Sequence, residues 1–152
     1  MVVKNIREVD INEYMPILID LVENGNTVPL LISGNSMSPF LVHHRDTIFI
    51  SKPNSLFKRG DIVFFRRLNG DYVVHRIHHI NNKGEYYIIG DGQTLMEGPV
   101  MQSQIFGIVK KVIRKGKLIN EKSVIWFFFE KIWIRLIIFR KIIVNLIAKI
   151  KY

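Results

Sequence analysis

Between Thr27 and Asn120 the chain is cut into short runs rich in β-branched and aromatic residues, and most runs end on Gly, Asn or Asp. That pattern constrains the fold more than any other feature. β-branched and aromatic side chains suit a pleated, half-buried surface, whereas Gly, Asn and Asp tolerate the backbone angles of tight turns. The runs predict strands at 27–33, 47–51, 61–67, 72–80, 85–90 and 105–119, the last broken in two by its own turns. Asn69-Gly70-Asp71 predicts a hairpin, as does Asn81-Asn82-Lys83-Gly84, and Lys58-Arg59-Gly60-Asp61 marks a further turn. Short strands at this spacing predict a mainly β, antiparallel, partly closed fold.

Two helical segments flank the strands. Over 10–24, Tyr14, Ile17, Leu18 and Leu21 recur at helical spacing, Asp10 or Asn12 is placed to cap, and Asn24 to Asn26 around Gly25 stop the helix. This short N-terminal helix is expected to pack on the edge of the β domain. Residues 123–152 begin with Val124-Ile125-Trp126-Phe127-Phe128-Phe129 and continue as an apolar run broken by charges. At 100° per residue Lys131, Arg135, Lys141, Asn145 and Lys149 fall on one side, with Arg140 on the wrong side. Trp and Phe opposite a basic face predict an amphipathic helix lying in a membrane interface. A partner protein and a transmembrane span are the alternatives. Each central Lys or Arg costs a span about 2.5–3.5 kcal/mol, which weighs against it. The expected organisation is a helical lead-in over 1–27, a β domain over 28–120 and a basic amphipathic helix over 121–152.

The 152 residues make one domain, and 48% apolar content can bury a core. The chain has no cysteine, which excludes a disulfide framework, Cys-ligated metal and a thiol nucleophile. Its net charge of +9 is uneven: residues 110–152 carry 12 Lys/Arg against 2 Glu, and residues 1–109 carry 10 against 11 Asp/Glu. The excess therefore sits in the tail, which favours an anionic membrane surface met by 123–152 over a nucleic acid. Met1–Asp10 has no apolar core of a secretory leader. The expectation is a membrane-associated protein on the cytoplasmic face.

Three residues carry the chemistry. Ser36, in Ser33-Gly34-Asn35-Ser36-Met37-Ser38-Pro39, follows an apolar run where a strand hands over to a turn. His75 lies on a strand-like segment, and Asp91 stands at the end of another in Gly90-Asp91-Gly92. A hydroxyl, an imidazole and a carboxylate are the types that nucleophilic catalysis needs: a weak nucleophile, a base near neutral pKa, and a group that orients the base. Each alone has an ordinary explanation, as turn serine, strand histidine and turn aspartate. His43, His44, His78 and His79 with His75 also raise a metal reading, but no helical His-Glu-x-x-His arrangement accompanies them. No metal and no cofactor is expected.

Taken together, these segments resemble the type I signal peptidase family and its relatives among self-cleaving Ser-dependent repressors. Ser36-Met37-Ser38-Pro39 is similar to the family's nucleophile box, Arg59-Gly60-Asp61-Ile62-Val63-Phe64-Phe65 to its Gly-Asp-Ile-Val strand, Val74-His75-Arg76-Ile77 to its base box, and Ile89-Gly90-Asp91-Gly92 to its Gly-Asp-Asn box. The resemblance covers about residues 28–117. It implies a serine endopeptidase that cleaves a signal or leader segment, with Ser36 as nucleophile and His75 as general base. Histidine at the base position is similar to the endoplasmic-reticulum and archaeal branch, where an acidic residue follows the Gly-Asp aspartate by six positions; here that is Glu97. The third member is thus Asp91 or Glu97. The oxyanion hole would be built from backbone N–H groups at Gly34, Asn35 and Ser36. The resemblance also implies a peptide or preprotein held as an extended strand, with small residues at the first and third positions before the cut and Met37, Pro39 and Phe40, beside Leu41, as pocket walls. Two other readings stay open: a non-catalytic β module tethered by its tail, with a relic site, and a self-cleaving regulator.

Overall fold

A computed structural model describes residues 11–150. Met1–Asp10, including one of the two candidate helix caps, and the Asn12 side chain lie outside the described part. The eight strands are β1 (Val28–Leu31), β2 (Thr47–Ser51), β3 (Ile62–Arg66), β4 (Tyr72–Ile80), β5 (Tyr86–Ile89), β6 (Glu97–Val100), β7 (Ile105–Arg114) and β8 (Lys117–Asn120). They form one antiparallel sheet in the order β1-β2-β7-β3-β4-β5-β6, with β8 paired to the far end of β7. β1 and β6 end the path without pairing to each other, so the sheet is not closed.

Each predicted run is a strand, and 105–119 divides at the Lys115-Gly116 turn. Only β6 is unannounced by sequence. Its Gly98-Pro99 centre carries turn chemistry, yet β6 is an edge strand, where a missing N–H need not cost a ladder bond.

The sheet is buried on both faces, and the period of two assigns each side chain. Ile62 and Phe64 of β3 join a core with Ile48, Ile50, Val109 and Val112. Their neighbours Val63 and Phe65 point the other way, into a second core with Phe57, Ile77, Tyr86 and Ile88. His75 pairs with Val63 and Arg76 with Ile62. These two consecutive residues of β4 therefore serve opposite faces. Helix α1 (Ile11–Glu23) covers the first core with Met15, Leu18 and Val22.

The tail differs from the single helix expected over 121–152. Ser123 caps α2 (Val124–Phe127), its Oγ accepting from the Trp126 N–H at 3.3 Å. A π-helical turn (Phe128–Ile132) and a 3₁₀ turn (Trp133–Arg135) follow, and after Leu136 the chain restarts as α3 (Ile137–Ile150). Trp126, Phe129 and Trp133 are buried in the first core, where Phe40 packs on Trp126 and Phe129 at centroid distances of 5.4 and 4.8 Å. Of the aromatics expected to meet lipid over this stretch, Trp126, Phe129 and Trp133 instead close the core, while Phe127 and Phe128 stay exposed. Helical spacing of aromatics specifies a buried face without saying what buries it. Arg140, which breaks the sequence's charged face, is fully buried, while Ile138, Phe139, Ile142, Leu146 and Ile150 of α3 are exposed. Among the described residues no helix is long and apolar enough to cross a membrane.

If 124–135 is core, Phe129→Ala should destabilise the protein by about 3–5 kcal/mol in urea unfolding. A change within about 0.5 kcal/mol would mark this stretch as an independent surface element.

Candidate active site

β5 ends at Ile89 while β4 begins at Tyr72, and β4 pairs with β5 only from Arg76 onward. Tyr72 to His75 therefore pair with β3 on one side, and their other edge is unpaired among the described residues. β1 is the last strand on its own side, so among the described residues its outer edge is also free. Residues 30–34 at the end of β1 and residues 72–75 of β4 line one cavity of about 350 Å³. Ser36 and His75 both open onto it, with Met15, Met37, Phe64 and Gln93. Cavity and open edges arise together, because a strand that stops early leaves its neighbour's backbone unsatisfied.

His75 is buried, and its Nδ1 lies 2.8 Å from Glu97 Oε1. Arg67 holds the same carboxylate from the far side, Nε donating to Oε2 at 2.7 Å and Nη2 to Oε1 at 3.0 Å. Burial opposes the charge on Glu97, but the hydrogen bonds from His75 and Arg67 outweigh it and bring its pKa from 4.5 down to about 2. An ionised carboxylate only accepts, so neutral His75 must carry its proton on Nδ1. Nε2 is left as the basic nitrogen. It is buried and makes no hydrogen bond among the described residues. The ring thus has the tautomer of a general base, with its lone pair uncommitted.

Asp91 is placed quite differently. It is fully buried, and Arg76 donates to both of its oxygens, Nε to Oδ1 at 2.9 Å and Nη2 to Oδ2 at 2.8 Å. Arg76 Nη1 also donates to the Gly60 carbonyl at 2.9 Å. Of the two acids left open by sequence, Glu97 is the one bonded to His75, and Asp91 is committed to Arg76. The Gly-Asp-Gly segment meets Ser36 through its backbone instead: the Gly92 N–H donates to the Ser36 carbonyl at 2.8 Å. The approach leaves no room for side chains, since a Cβ on Gly90 would strike the Ser36 carbonyl oxygen and one on Gly92 the Ser38 carbonyl oxygen.

The remaining sequence-derived candidates divide. The Gly34 N–H already donates to His43 Nδ1 at 2.8 Å, so it is not free to bind an oxyanion. The Asn35 carbonyl accepts from the Ser38 N–H at 3.0 Å and closes the nucleophile turn, and the Asn35 side chain is exposed. The Ser36 N–H has no partner in the chain among the described residues and is available as a donor, and the same holds for the Asn35 N–H. Met37 lines the cavity, whereas Phe40 and Leu41 are core residues and Pro39 stands off the lining. Sequence reasoning passed over Arg67 and Gln93. Arg67 ends a predicted strand like any solvent-facing arginine, and only the fold sets it against Glu97. No three His, Asp or Glu residues converge as a metal site among the described residues.

An open antiparallel sheet that presents a turn serine beside a carboxylate-bound histidine is a serine peptidase-like fold. The chain belongs to the Peptidase S24-like family, whose model matches residues 3–113. That family includes self-cleaving repressors and signal peptidases. No curated protein matches the sequence.

Two consequences separate the acids. Because Glu97 binds protons more weakly folded than unfolded, its contribution to stability is complete above about pH 5 and lost as pH falls toward 2. Glu97→Gln should flatten that part of a pH series of urea midpoints, and an unchanged slope would contradict the ion pair. Asp91→Ala strands the Arg76 charge in the core and should cost about 3–5 kcal/mol at neutral pH, measured the same way. A cost below about 1 kcal/mol would show that Arg76 does not depend on it.

Proposed function

We propose that this protein is a serine endopeptidase that removes a leader or signal segment from a protein or peptide. The observation that carries the reading is the cavity shared by Ser36 and His75, with Glu97 and Arg67 behind the imidazole. An extended peptide laid between the free edges of β1 and β4 adds a strand to the sheet and presents a carbonyl to Ser36. His75 Nε2 takes the Ser36 hydroxyl proton as Oγ attacks. The tetrahedral oxyanion is met by the Ser36 N–H. Glu97 holds the ring tautomer and stabilises the imidazolium that forms. His75 then gives the proton to the leaving amine, and water, deprotonated by the same nitrogen, releases the acyl group. The short apolar residues Leu30 and Ile32 with Met37 in the cavity wall favour small, apolar side chains next to the cut.

The reading is tested with a fluorogenic leader-like peptide carrying Ala at the first and third positions before the cut. Ser36→Ala and His75→Ala should each lower kcat by on the order of 10³-fold or more, with Glu97→Gln in between. Equal processing by wild type and both variants would leave a non-catalytic β module. Membership of a family that includes self-cleaving repressors favours a second reading, autocleavage. Intact mass of the incubated chain decides it, with two fragments that vanish in Ser36→Ala as the signature.

We further propose that α3 rests on an anionic membrane surface at the cytoplasmic face. Its exposed Ile138, Ile142 and Leu146 form an apolar arc beside Lys141 and Lys149. Each Lys or Arg near such a surface contributes about 1 kcal/mol. Ile138→Asp with Ile142→Asp should abolish flotation with phosphatidylserine vesicles and leave the urea midpoint in place. Flotation equal to wild type would overturn the membrane role.

A further inference from the structure

The family match ends at residue 113, yet the chain beyond it reaches the back of the candidate active site. Trp133 Nε1 donates to the Asp91 carbonyl at 2.7 Å. Arg140, fully buried, donates through Nη1 to the carbonyls of Gly90 at 2.9 Å and Gln93 at 3.0 Å. Its Nη2 returns to the Trp133 carbonyl at 3.3 Å, and its guanidinium lies over the Trp133 ring, 5.6 Å from the centroid. Two tail side chains thus occupy three carbonyls of one loop, Gly90, Asp91 and Gln93. The same loop donates the Gly92 N–H to Ser36 and places Gln93 in the cavity wall.

An arginine so placed is costly. Its charge is desolvated and no carboxylate bonds to it, although the Asp91 charge lies close enough to favour it. A core needing only volume would be served by Leu or Met. What Arg140 supplies is a rigid fork of donors that fixes the positions of several carbonyl oxygens at once. Within the same loop the Gly92 N–H donates to the Ser36 carbonyl at 2.8 Å, so fixing the loop's carbonyls also fixes its contact with the Ser36 turn.

We propose that Trp133 and Arg140 are positioning residues: through the Gly90–Gln93 loop they set the backbone of Ser36 relative to His75. The proposal rests on the reading of Ser36 and His75 as the reacting pair. It makes the C-terminal segment part of the active site's support and explains why the charge that breaks the tail's amphipathic pattern lies inside. Displacement of a nucleophile by about 1 Å is enough to cost on the order of a hundred-fold in rate.

Trp133→Phe keeps an aromatic ring but removes the indole N–H together with the pyrrole half of the side chain, so its urea midpoint is measured alongside, and Arg140→Lys keeps the charge but not the fork. Each is compared with wild type and Ser36→Ala by two readouts: cleavage of the Ala-x-Ala fluorogenic peptide, and amide exchange at Gly92 followed by NMR. The expected result is a kcat lowered roughly ten- to a hundred-fold with KM within about two-fold, together with at least roughly ten-fold faster exchange at Gly92. Folded variants whose Gly92 exchange and kcat both match wild type would overturn the positioning role while leaving the Ser36 reading intact. A wild type no faster than Ser36→Ala would overturn the Ser36 reading, and the positioning role with it.

Discussion

The rest of the structure depends on the ion pair between Arg76 and Asp91. Both side chains are completely buried, and the pair joins the central strand β4 to the loop that follows β5. Arg76 adds the Gly60 turn before β3. A bidentate pair tolerates little sliding, so it holds register among three chain segments distant in sequence. On the loop side of the pair sit Ser36, through Gly92, and the tail, through Trp133 and Arg140. On the strand side, one residue away, sits His75. Ser36 and His75 are thus referred to a single buried anchor.

Two acidic residues close in sequence perform two unlike tasks because their surroundings differ. Asp91 is sealed in with a permanent cation, which bonds both of its oxygens, and it makes no hydrogen bond to the imidazole. Glu97 is partly exposed at the sheet's edge and shares its carboxylate between Arg67 and His75. The hydrogen bonds from His75 and Arg67 together keep Glu97 ionised, and an ionised Glu97 accepts the proton carried on Nδ1 of His75. A chain of three polar side chains thereby decides which histidine nitrogen is basic, a property that none of them carries alone.

The tail illustrates how one pattern serves two environments. Its first half, 124–135, uses aromatic spacing to cap the sheet, and its second half turns isoleucines outward while burying an arginine. That inversion is legible only against the body of the protein. The membrane contact proposed above draws on the outward apolar arc of α3 and the cationic excess of 110–152, whereas Trp133 and Arg140 bond the loop behind Ser36.

By itself the sequence determined the strand content, nearly all the strand positions, and the residue types that meet at the site. Local signals are enough for these: turn residues interrupt β-branched runs, and the boxes around Ser36, His75 and Asp91 are each a short contiguous run of residues. Tertiary structure alone shows that His75 meets Glu97 and not Asp91, because each acid's contacts are set by partners brought to it by strand pairing. It also decided that β6 is a strand, since an edge tolerates the Gly98-Pro99 step that would break a central one. And it decided where the tail's aromatics go, because hydrophobic burial has no direction and its period is the same whether a core or a membrane receives it.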